Sequence, residues 1–151
     1  EGGPVMLSWQ AVQGLHTQPE GHGAADDKES GDVQTPNVVI HEFAHKIDMR
    51  NGEADGCPPL PPGFMGTTSA RAARQWWLQH WEAAYQQFRE QVIIAERFSG
   101  ARPWLDPYGA EHPSEFFAVA CEAFFVNRPR FAQEFPTLAP LLTALFAMPG
   151  N

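Results

Sequence analysis

Apolar and polar residues alternate along this chain in blocks that predict four helical segments and one short strand. The run NVVIHEFAHKID at 37–48 is apolar but carries three polar side chains side by side, His41, Glu42 and His45. Thr35 is the expected N-cap of a helix here, with Pro36 at its first position, where a missing N–H costs nothing. The helix should stop at Asn51-Gly52. From Ser69 to Ser99 there is no proline or glycine, and Ala73, Trp77, Ala84, Phe88 and Ala95 recur near helical spacing. This predicts one long helix capped by Ser69, with Trp76, Trp77 and Trp81 read as core. The stretch GARPWLDPYGAEHP breaks the pattern. Another helix is expected from about Pro113 to Asn127 and is ended by NRP, and a final helical segment lies within TLAPLLTALF, where Pro140 favours a late start.

Outside these blocks, PVMLSW at 4–9 is short, partly β-branched and flanked by glycine, which reads as a strand. The segment from Leu15 to Thr35 is rich in glycine and acids and has almost nothing to bury, so a flexible loop is expected, with His16 and His22 solvated within it. CPPLPPGF reads as an extended surface connector, because its prolines exclude a helix or a central strand.

The 151 residues correspond to about one domain. No apolar run approaches the roughly 20 residues of a membrane span. A net charge of -8, with scattered Lys and Arg, argues against a nucleic-acid partner. Cys57 and Cys121 form no evident disulfide framework, and a reducing cytoplasm fits best.

The chemistry sits at His41, Glu42 and His45. On a helix, residues four apart share a face with Cβ atoms about 5–6 Å apart, so two imidazoles can converge on one ion. A catalytic zinc takes three protein ligands and keeps one position for water. Glu42, rotated about 100° from His41, can stand beside that water as a general base without being a ligand. Asp48 falls on the same stripe. It is either a partner that orients an imidazole or an acid at a solvated helix end. The third ligand must come from elsewhere, and Glu111, Glu115 and Glu122 cluster around the helix at 113–127. Glu111 reads as a solvated loop residue. Glu115 and Glu122, seven apart, can share a face, one as ligand and the other as its support.

HEFAHKID, taken with DPYGAEHPSEFFAV, resembles the Mlc titration factor A family of zinc metallopeptidases, relatives of the gluzincins and of the anthrax lethal factor catalytic core. The likeness extends from GPVMLSW to FFVNRPRFAQEFPTL and corresponds to the later part of a longer family member, whose preceding half is absent here. The resemblance implies His41, His45 and Glu115 as ligands of one Zn2+, Glu42 as general base and Tyr108 as a hydroxyl near the substrate. Independently, a phenol in the proline-rich turn before the ligand helix could donate to an oxyanion.

Together these readings predict an α+β, helix-dominated, zincin-like single domain over 1–151, with a small sheet near residues 4–9 packed on the metal helix. The expected function is zinc-dependent hydrolysis of a peptide bond, and the resemblance implies an aminopeptidase-type activity on short peptide substrates. A regulatory protein that sequesters a transcriptional repressor is the alternative, and a purely structural zinc site is a third reading. No membrane partner is expected.

Overall fold

A computed structural model describes residues 36–149. Both the strand expected at 4–9 and the loop expected at about 15–35 lie outside the described residues. Among the described residues five α-helices follow one another: α1 (Val38–Asp48), α2 (Ala70–Phe98), α3 (Pro113–Val126), α4 (Arg128–Glu134) and α5 (Leu138–Phe146). Short 3-10 turns occupy Met49–Asn51, Phe64–Gly66 and Pro107–Ala110. No strand or sheet occurs among the described residues, so for these the α+β expectation is corrected to an all-α architecture.

Helix α1 begins two residues later than the Thr35 cap implied, because Asn37 takes that role: its side-chain oxygen accepts the Ile40 N–H at 3.2 Å. The helix tightens into the Met49–Asn51 turn and ends at Gly52, whose φ of 93° is left-handed, so the stop at Asn51-Gly52 holds. Helix α2 is the expected single long element. Ser69 Oγ accepts the Ala72 N–H at 3.1 Å, and Ser99 closes the helix at φ 53°. Its inner stripe of Ala73, Trp77, Trp81, Ala84, Tyr85, Phe88 and Val92 is buried.

Helix α3 is the centre of the molecule. Every residue from Phe116 to Phe124 is buried, so this helix is enclosed on all sides and not merely docked by one face. Trp77 and Trp81 stack with centroids 4.8 Å apart, and Trp81 meets Phe116 and Phe117 at 5.5 and 5.6 Å, which locks α2 against α3 through offset aromatic pairs. Helix α1 packs mainly on α3, which sets the histidine-bearing face against the acidic residues of α3.

Three local readings are revised. NRP ends α3 but also opens α4: the Asn127 side chain accepts the Arg130 N–H at 3.2 Å, and Pro129 falls at a helix start where no N–H is needed. Pro140 does not delay α5, because it lies in that helix's first turn. The proline-rich connector is no simple surface crossing, since Cys57, Leu60 and Phe64 project into the core.

One face stays apolar and open. Ile40, Phe43, Ala44 and Ile47 of α1, with Cys121, Phe125 and Phe146, line a groove of about 290 Å³, and Val39, Phe43, Phe125 and Val126 are exposed beside it. No helix among the described residues is long and apolar enough to cross a membrane.

Candidate metal centre

Helix α1 presents His41 and His45 one turn apart, and the first turn of α3 delivers Glu115 to the same point. His41 Nε2 lies 3.1 Å from His45 Nε2 and 3.1 Å from Glu115 Oε2, and His45 Nε2 lies 3.3 Å from the same oxygen. Three atoms on the corners of a tetrahedron, each about 2.0–2.1 Å from its centre, are about 3.3–3.4 Å apart, so the spacing fits one ion held by three ligands. These three residues could hold a metal ion. All three side chains are partly exposed, which leaves one side of the centre accessible.

The donor chemistry points the same way. Glu122 Oε1 lies 2.6 Å from His41 Nδ1, so this nitrogen carries the proton and donates it, leaving the Nε2 lone pair free. That lone pair faces a second imidazole nitrogen and a carboxylate oxygen. Three electron-rich atoms this close repel one another unless a proton or a cation sits among them. The Glu122 hydrogen bond, aided by the charges of Glu122 and Glu115 and opposed by burial, holds the His41 pKa above its ordinary value.

Glu122 does more than orient the ring. It is buried, and its Oε2 accepts the Asn37 backbone N–H at 2.6 Å, so one carboxylate fastens both the start of α1 and the His41 imidazole. Sequence reasoning missed Asn37. The visible signal was an Asn four residues before the first histidine, in N-cap position.

The remaining predicted residues fall around this point. Glu42 is partly buried on α1, one residue after His41, and is not among the three converging ligands. Tyr108 sits in the Pro107–Ala110 turn, half exposed, with its ring centroid 6.3 Å from that of His41. The charge of Glu115, then burial and the charge of Glu111, raise the phenol pKa, which keeps the hydroxyl protonated as a donor. Glu111 is exposed, as expected of a solvated loop acid. Asp48 is buried and points elsewhere: its Oδ2 accepts the Gly56 N–H at 2.9 Å, and its Oδ1 has no partner among the described residues. Burial pushes the Asp48 pKa up to about 6, against the Gly56 hydrogen bond. Cys57 and Cys121 are free and buried, and burial raises both thiol pKa values, that of Cys57 to about 12, so neither supplies a thiolate.

Beside the centre runs a cleft of about 190 Å³ lined by Pro36, Val38, His41, Asp106, Tyr108, Val119 and Glu122. A site of three ligand atoms with an accessible side and an adjoining cleft suits a metal that acts on a bound molecule.

Known proteins resemble this chain over most of its length. The chain is 31% identical over 137 residues to Mlc titration factor A of Pectobacterium atrosepticum, covering 90% of this chain and 42% of the relative. The namesakes of Serratia proteamaculans and Escherichia fergusonii are 32% and 33% identical, over 91% and 90% of this chain and 43% and 42% of their own lengths. The chain thus spans less than half the length of these relatives. The profile of the glucose-regulated metallo-peptidase M90 family matches residues 1–147. Two imidazoles and one carboxylate that could hold a metal ion accompany this match, and the chain belongs to the glucose-regulated metallo-peptidase M90 family.

Proposed function

We propose that the chain is a zinc-dependent peptidase, with His41, His45 and Glu115 as ligands of one Zn2+ and Glu42 as general base. The observation that carries this reading is the convergence of three lone-pair atoms 3.1, 3.1 and 3.3 Å apart on an accessible face. Zinc supplies Lewis acidity to such a site, acidifying a water and polarising a carbonyl. The protein's own groups do the rest. Glu42 takes the proton of the attacking water and returns it to the leaving amine. The Tyr108 hydroxyl, kept protonated by the surrounding carboxylates, donates to the oxygen that gains charge as the carbonyl carbon becomes tetrahedral. Glu122 holds His41 in the tautomer that presents Nε2. The substrate class is a peptide, with aminopeptidase-type cleavage of short chains the specific form and the cytoplasm the place of action.

Replacing Glu42 by Gln tests this. Turnover of a panel of amino-acid anilides should fall by about 10²–10⁴-fold, while zinc stays near one per chain. Undiminished turnover in the variant would remove Glu42 from the mechanism.

A second reading is favoured by the relatives' name and by the exposed apolar groove around Phe43 and Phe125. Here the chain binds the transcriptional repressor Mlc and titrates it, with catalysis secondary. The same variant separates the two readings, because partner binding on the apolar face should survive the loss of Glu42.

A further inference from the structure

We infer that Asp106 makes this cleft selective for substrates that carry an alkylammonium group close to the scissile bond. The inference rests on the peptidase reading above and adds a residue to it.

Three observations combine. Asp106 lines the same cleft as His41, Glu122 and Tyr108, so it borders a space that His41, one of the three converging residues, also lines. Its Oδ1 is occupied in accepting the Tyr108 N–H at 3.0 Å, and this bond fixes the carboxylate relative to Tyr108. Its Oδ2 has no hydrogen-bond or ion-pair partner among the described residues.

The cleft's charge balance then decides what it accepts. Among the described residues, no Lys or Arg lines it. Glu122 is committed on both oxygens, to the Asn37 N–H and to His41 Nδ1. A divalent ion at the centre would offset the charges of Glu115 and Glu122, and among the described residues the charge of Asp106 would then be left without a counterpart. A neutral ligand beside Asp106 displaces water from a carboxylate and offers it nothing in return. An ammonium group replaces that water with a charge-assisted hydrogen bond, the stronger kind. Val38 and Val119 supply apolar wall for the carbon chain that carries it. The ammonium can belong to the free amino terminus of a peptide or to a basic side chain, and the chemistry at Asp106 is the same for both.

Asp106→Asn is a clean probe, because Asn caps the turn at 107–110 as well as Asp does and only the charge is lost. The zinc-loaded chain, wild type and variant, is titrated calorimetrically with alanine hydroxamate, Nα-acetyl-alanine hydroxamate and Nα-acetyl-lysine hydroxamate. The wild type should bind at least one ammonium-bearing probe about tenfold more tightly than the neutral one, and Asp106→Asn should bring that ratio close to one. The neutral probe should bind both proteins alike, and the preference should shrink with added salt. A preference confined to alanine hydroxamate assigns the group to the amino terminus, and one confined to the lysine probe assigns it to the side chain. Equal wild-type binding of all three probes, or a preference that persists in Asp106→Asn, overturns the role of Asp106 and leaves the peptidase reading standing. Failure of every hydroxamate to bind overturns the metal-site reading and the Asp106 role with it.

Discussion

Asp48 is buried with one oxygen unpartnered among the described residues, and its pKa of about 6 lies well above the ordinary 3.8 for this group. For an acid whose folded pKa is raised, the folded state binds the extra proton between the two values, so stability rises as pH falls from about 6 towards 4 and is lost again as pH rises through 6. The difference is on the order of 3 kcal/mol. Asp48→Asn keeps an acceptor for the Gly56 N–H and has no charge to bury. Urea unfolding of both proteins across pH 4–7 should show the wild type losing ground to the variant as pH increases, and a pH-independent difference would contradict the buried-charge account. Single residues were unevenly legible. The pairing of His41 with His45 follows from helix geometry, which places residues four apart on one face whatever surrounds them. The direction of Asp48 does not follow, since the Gly56 N–H it meets belongs to a loop whose path depends on packing.

At the level of elements, the tightest constraint lies where the loop after α1 crosses the start of α3. Gly56 has φ 77°, its N–H reaches Asp48, its carbonyl accepts the Trp77 indole N–H at 2.9 Å, and a Cβ built on it would stand 2.7 Å from the Pro113 carbonyl oxygen. Gly56→Ala should therefore destabilise the protein by roughly 1–3 kcal/mol, and it should also loosen metal binding, because Asp48 sits on the ligand helix and Pro113 two residues before Glu115. Thermal melting and a zinc titration of the variant measure the two effects. Helices α2 and α3 could be read from the chain because an uninterrupted run, a Ser cap and a proline start are local signals. Helix α4 could not, because NRP is equally a stop for one helix and a cap for the next, and local sequence does not say which. The small sheet was expected only near residues 4–9, which lie outside the described residues, and no local signal for a strand stood elsewhere in the chain.

For the molecule as a whole, the proposed metal joins α1 to α3, which otherwise meet through apolar packing and the Glu122 contacts. A ligand bound only by the folded state at about a thousand times its Kd adds ~4 kcal/mol of stability, so removing zinc with a chelator should lower Tm by roughly 10–15 °C in a chain of this size. Calorimetry with and without the chelator checks this, and an unchanged Tm would speak against a metal shared by the two helices.

The grip of Glu122 on both Asn37 and His41 also has a kinetic meaning. The imidazole cannot turn away from the centre without giving up the carboxylate that anchors the first turn of α1, and that turn cannot fray without loosening the imidazole. An ion held at His41 would therefore have its residence joined to the opening rate of one helix end, and its release would depend on the backbone as well as on the side chains that hold it.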